Sequence, residues 1–160
     1  MKKLLLLIVV FVFAVVGVHA ATAVANGEAQ AGIVAPITIA QASGGELEFG
    51  TWVQPDSAKT VVVAATSSPS HTAAGLTAAG DATPHAGHFE VTNNGVSYSV
   101  GLSSSISVTS SSNSMTVDTF THSCTASCTD TDLYVGATLY IAASQAAGNY
   151  SGTYVVTLTY

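Results

Sequence analysis

Arginine does not occur in this 160-residue chain, and lysine occurs three times, at Lys2, Lys3 and Lys59, against nine carboxylates. Without a cluster of cations there is little to neutralise a phosphate backbone, so nucleic acid and anionic membrane surfaces are poor partners. Guanidinium clamps for phosphate or carboxylate substrates are missing for the same reason. Cysteine is limited to Cys124 and Cys128, which lack the second close thiol pair of a zinc-finger site. After residue 20 no window carries an apolar stripe at helical spacing, which argues against helices. There is no G-x-S-x-G elbow and no base committed to a nucleophile, and a developing transition-state charge would have only dipoles or a metal beside it. The expectation is a protein that is not an enzyme and carries no cofactor.

What is present begins with a leader. Two lysines precede an apolar run at residues 4–18, and Val18-His19-Ala20 has the small-x-small form of a cleavage site. The run has 15 residues, short of the roughly 20 that a spanning helix needs. Residues 1–20 are therefore expected to be a cleaved signal peptide, placing the chain in the periplasm, on the cell surface or outside the cell, with no membrane span after cleavage. The remaining 140 residues hold Lys59 against nine acids, a net charge of −8. That length suits one domain burying about two-thirds of its unfolded surface. Abundant serine, threonine, glycine and alanine would fit a disordered stalk, but recurrent apolar alternation would not.

Residues 21–32 are small and weakly patterned, a flexible N-terminal extension, with residues 33–160 as a single domain. Ile33, Ala35, Ile37 and Ile39 share one side of a first strand, and Pro36 makes it an edge strand or a bent one. Leu47 opens a short strand stopped by Gly50, and residues 60–66 form a third after a turn with Pro55 and Asp56. Residues 67–84 read as a long irregular loop around a weak strand. Phe89 and Val91 share a face, and Asn94-Gly95 separates them from the alternating Val96, Tyr98, Val100 and Leu102. Asn-Gly between two such runs signals a hairpin, because both residues tolerate positive φ. Residues 106–120 hold one or two further strands, including Met115 and Val117. Beyond them Leu133, Val135, Ala137, Leu139 and Ile141 point one way, and Tyr134, Thr138 and Tyr140 the other. In the last strand Tyr154, Val156, Leu158 and Tyr160 alternate with Val155 and threonines, and neighbours on both sides are expected to hold it. Roughly seven to nine short strands with Gly, Asn and Ser turns predict an all-β, antiparallel sandwich.

The order and spacing of API at Ala35, LEFG at Leu47, SMTVD at Ser114, LYVGATLYIAA at Leu133 and GNYSGTYVVTLTY at Gly148 carry a resemblance. Over residues 33–160 the chain resembles the secreted bacterial family catalogued as domain of unknown function 4402. VGATL followed by the tyrosine-rich terminal motif is its strongest part. The resemblance implies a small exported immunoglobulin-like sandwich, similar more loosely to spore-coat-U and archaic chaperone–usher pilin subunits. It brings no catalytic residues, and the cysteine pair and the histidines lie outside its pattern.

Several residues remain as candidates for chemistry. His122, Cys124 and Cys128 offer three potential metal ligands, but two cysteines in a short Ser/Thr loop of an exported protein favour a Cys124–Cys128 disulfide, with metal ligation and free thiols as the alternatives. His85 and His88, with His71 or His122, suit copper or zinc, and solvated bystanders otherwise. Asp130 and Asp132 lack the companions of an EF-hand loop. Glu46 and Glu48 alternate away from Leu47 and Phe49 and are expected in solvent. Tyr134 and Tyr140, on the polar side of their strand, form a possible binding surface for a sugar or partner, or pack across the sheet's outer face.

Two functions follow as expectations. One is a non-catalytic exported structural protein, a subunit of a surface filament, coat or matrix, pairing with itself or a related subunit by strand addition and meeting a periplasmic chaperone on the way. The donor would be residues 21–31, with 33–39 as a better-filling extension. The alternative is a monomeric secreted binding module for glycan or protein, using Tyr134 and Tyr140 or the 67–84 loop.

Overall fold

The computed structural model describes residues 22–80, 83–125 and 127–160; the expected leader, residues 1–20, lies outside them. The chain divides into two units, the second of which, Val34–Tyr160, holds every strand found among the described residues. The described part of the first unit, residues 22–33, is exposed chain without regular structure.

The second unit is an antiparallel β-sandwich of nine strands. They are β1 (Thr38–Gln41), β2 (Lys59–Val63), β3 (His71–Thr72), β4 (Gly87–Thr92), β5 (Ser99–Leu102), β6 (Ser105–Ser110), β7 (Asn113–His122), β8 (Asp132–Ile141) and β9 (Val156–Thr159). β8 organises the larger sheet. Along one side it pairs first with β4, at Leu133↔Phe89, and then with β2, at Leu139↔Val61; along the other it pairs with β7, and β1, β3 and β6 extend the sheet outward. The smaller sheet is β5 with β9.

The inward positions predicted on β8 are the centre of the core: Leu133, Val135, Ala137, Leu139 and Ile141 are all at most 7 % exposed. They divide between two clusters. One joins Leu139 and Ile141 to Val61, Val63 and Val117; the other joins Leu133 to Val91, Tyr98, Cys124 and Cys128 under β5 and β9. β7 crosses between them by a bulge: its register on β8 shifts by one residue between Asp118 and Thr121, and Thr119 sits at φ 51°. The extra residue turns Phe120 and His122 to the same inner face as Val117.

Three expectations need correction. The first strand does not begin at Ile33: β1 starts at Thr38, and residues 33–36 are exposed, Ile33 fully so at 98 %. Only Ile37 and Ile39 pack on the core. Asn94-Gly95 does form a tight turn at positive φ (50° and 77°), closed by the Val96 N–H donating to the Asn93 carbonyl, but its flanking strands do not pair. β4 stays in the large sheet while β5 crosses to the small one, because Tyr98 bridges Cys128 and its hydroxyl donates to the Asp130 carbonyl. The two-residue hairpin is instead at Ser111-Ser112, between β6 and β7, with Ser110 opposite Asn113. Finally, β9 has β5 on one side and no strand on the other among the described residues.

Candidate functional site

Beside the half of the large sheet formed by β6, β7 and the end of β8 lies a groove of about 880 Å³, lined by the half-buried Ile106, Val108 and Met115 and by the buried Val117, Leu139 and Ile141. Two continuous runs of chain line the groove as rims, residues 46–55 and residues 145–154. Both runs lie outside the named strands, and they meet at one end, where the Ser144 N–H donates to the Pro55 carbonyl and the Gln54 side-chain amide donates to the Gln145 carbonyl, each at 2.8 Å. In the first, Glu48 exchanges both backbone hydrogen bonds with His85, Val53 donates to the Thr77 carbonyl, and Ala79 donates to the Thr51 carbonyl. In the second, Ser151 exchanges both with Thr109. Trp52, the single tryptophan, stands half-buried in the first rim with its indole N–H donating to the Phe49 carbonyl at 2.7 Å. Glu48, expected in solvent, is half-buried and accepts the Gly50 N–H on its carboxylate at 2.9 Å.

Tyr134 and Tyr140 share the outer face of β8, as their spacing predicts, but they do not form one surface. Gly136 lies between them, and a Cβ there would collide with the Val63 carbonyl oxygen and come within 2.7 Å of the Ala65 amide. The backbone leaving β2 therefore passes between the two rings. Tyr134 stacks on His88, with ring centroids 4.7 Å apart. Tyr140 is 43 % exposed between Thr60 and Thr116, in an open depression that Ser114 and Gln145 also line.

The histidines separate. His88 Nε2 lies 2.8 Å from an Asp132 carboxylate oxygen, His85 Nδ1 lies 3.0 Å from the Thr83 carbonyl, and His71 is 6.2 Å from the Trp52 ring centre to centre. His122 carries a buried Nδ1 without a hydrogen-bond partner. Among the described residues no group of three His, Cys, Asp or Glu side chains is close enough to share a metal ion. Cys124 and Cys128 form a disulfide, and both cysteines are buried in the second core cluster rather than exposed at a loop tip. Asp130 and Asp132 are both exposed; Asp130 supplies the carbonyl that holds Tyr98, and its charge, after burial, is the second cause raising the Tyr98 pKa.

The groove was not legible as a site. Ile106, Val108 and Met115 carry an ordinary strand pattern, and nothing local distinguishes a floor left open from a core that is closed. The one available signal was Trp52, a large aromatic outside any alternating run.

A search of curated proteins and of solved structures finds no match to this chain. The model of the family described as Domain of unknown function (DUF4402) matches residues 37–160, from Ile37 just before β1 to the last residue of the chain. The chain therefore belongs to the DUF4402 family.

Proposed function

We propose that this protein is a non-catalytic exported structural subunit that builds a surface filament, coat or matrix by adding an extended segment of one copy to a sheet of the next. The observation that carries the reading is the state of residues 22–36. They form an exposed extension without strand structure that nonetheless presents Ile33 and Val34 to solvent, at 98 % and 65 % exposure. Apolar side chains on an unpaired segment are the features of a strand donor. The disulfide supports export, since such bonds persist in oxidising compartments. The apolar leader and the shortage of cations support it from the sequence side.

Light scattering and electron microscopy of purified protein, with and without residues 22–36, test the proposal. The intact chain should form elongated assemblies and the shortened one should stay monomeric. An intact chain that is monomeric at high concentration defeats it.

The exposed Tyr140 favours a second reading, a secreted module that stacks a sugar ring on that tyrosine, with hydroxyl and amide groups from Thr60, Thr116 and Gln145 around it. Glycan-array binding lost in Tyr140→Ala, and retained in Tyr134→Ala, is the result this reading expects.

A further inference from the structure

Among the described residues, two large hydrophobic side chains are exposed within named strands, Val62 on β2 at 41 % and Tyr140 on β8 at 43 %. Both stand on the outer face of the large sheet. Tyr140 lies opposite Thr60 and Val62 opposite Thr138, so the two are diagonal neighbours across one strand gap, about 7–8 Å apart. The pairing carries that face onward, from Tyr140 to Thr116 on β7 and from Thr116 to Ser107 on β6. Thr60, Tyr140, Thr116 and Ser107 thus form one exposed line across four strands, about 14 Å long at the spacing of paired strands. Resting on the second reading above, in which Tyr140 stacks a sugar ring, we propose that this face binds a linear, neutral polysaccharide lying across the strands, with one ring on Tyr140 and Val62 and the rings beyond it held by Thr116 and Ser107.

The occupant follows from what the line offers. A sugar polymer presents C–H faces to an aromatic ring or an isopropyl group, and hydroxyls along its edges that both donate and accept. Threonine and serine hydroxyls do the same, so either side can reorient to complete a hydrogen bond. No charge stands in the line: Asp118 lies one row away beside Thr138, half-buried and accepting the Thr119 hydroxyl, and Lys59 lies at the margin with its ammonium against Gly75. An acidic polymer finds no cation along the line to pair with, and it approaches a chain whose net charge beyond residue 20 is −8. A protein partner fits less well, since interface cores are rich in aromatic and arginine anchors and poor in serine, and this line has a single aromatic. Tyr134 has no comparable line, because its ring is stacked on His88 and the Asp132 carboxylate stands beside them.

Affinity electrophoresis of the full chain through gels containing a β-glucan, a mannan, a xylan or the acidic polygalacturonate tests the proposal. At least one neutral polymer should retard the protein, polygalacturonate should not, and Tyr140→Ala should abolish the retardation. Calorimetric titration with oligosaccharides of the retarding polymer should show affinity rising about tenfold from the disaccharide to the shortest oligomer that spans about 14 Å. Ser107→Glu, a change at an exposed position at the far end of the line, should weaken binding of that oligomer about tenfold while leaving the disaccharide's affinity and the thermal melting unchanged. Thr157→Glu, at an exposed position on β9 in the smaller sheet, should alter none of these. Equal affinity for the disaccharide and the longer oligomers, or binding indifferent to Ser107→Glu, overturns the line while the sugar stacked on Tyr140 survives. Retardation by polygalacturonate alone overturns the neutral ligand. Retardation that persists in Tyr140→Ala, or retardation by no polymer at all, overturns both the line and the sugar reading on which it rests.

Discussion

Tyr154 lies between Phe89 and Phe120, with ring centroids 6.0 and 5.3 Å away, and its hydroxyl is buried without a hydrogen-bond partner. Burial pushes its pKa up from 10.0 to about 12. The folded protein thus holds this proton more tightly than the unfolded chain, and the associated stability is complete below pH 10 and lost as the pH rises through about 12. Tyr154→Phe removes an unpaired polar atom, so we expect unchanged stability or a gain of about 1 kcal/mol at neutral pH and a smaller loss between pH 10 and 12. Urea denaturation at pH 7 and pH 11 checks both. Tyr98 shifts in the same direction, through burial and then the Asp130 charge, so part of the alkaline slope should remain. The Cys124–Cys128 bridge closes a loop of very few residues, for which chain entropy gives roughly 2 kcal/mol. Replacing both cysteines by alanine should lower stability by about that amount, measured by guanidinium denaturation, with the fold retained. The pairing was foreseeable from composition and spacing; the burial of both cysteines beside Leu133 was not, because it depends on β5 and β9 lying over them.

Among the elements, β8 was the most legible. Its residues alternate in polarity, and the predicted inward set Leu133, Val135, Ala137, Leu139 and Ile141 is buried throughout, although Gly136 and Thr138 on the other side are covered as well. Gly136 interrupts that regularity for a reason its own strand does not reveal. Its φ is ordinary, and what excludes a side chain there is the Val63 carbonyl passing over it as β4 gives way to β2 along β8. Gly136→Ala should therefore cost about 1–3 kcal/mol through overpacking, as read by denaturant midpoint. The bulge in β7 has the opposite character. Thr119 is β-branched yet held at φ 51°, a region that costs an L-residue about 1–2 kcal/mol and that asparagine tolerates better. Thr119→Asn should raise stability by about 0.5–1 kcal/mol in the same assay. Turn chemistry was read correctly at Asn94-Gly95 and its consequence was not, since positive φ specifies a reversal and not the sheet to which the next strand goes. The hairpin that did form, at Ser111-Ser112, carries no comparable local signal; the cross-strand packing of Ile106 on Val117 and Val108 on Met115 selects it.

At the level of the whole domain, two core clusters share β8, which enters both. Opening either cluster exposes part of β8, so the sandwich should unfold as one cooperative unit. Hydrogen exchange gives a direct check: protection should be greatest along Asp132–Ile141, and residues 22–36 should exchange at the rate of free chain. Leu133→Ala and Leu139→Ala, one in each cluster, should each lower a single transition by about 2–5 kcal/mol without splitting it into two.

The all-β character, the inward residues of β8 and the candidate partners for Cys124 and Cys128 were contained in local pattern, because alternation and composition express a preference that each strand holds before it meets another. Which strands became neighbours, where β7 bulged, how Tyr134 was parted from Tyr140, and why a stretch of ordinary core positions stayed open as a groove were settled by the folded chain. Each depends on contacts between residues far apart in sequence, and a period of two says which way a side chain points without saying what stands opposite it.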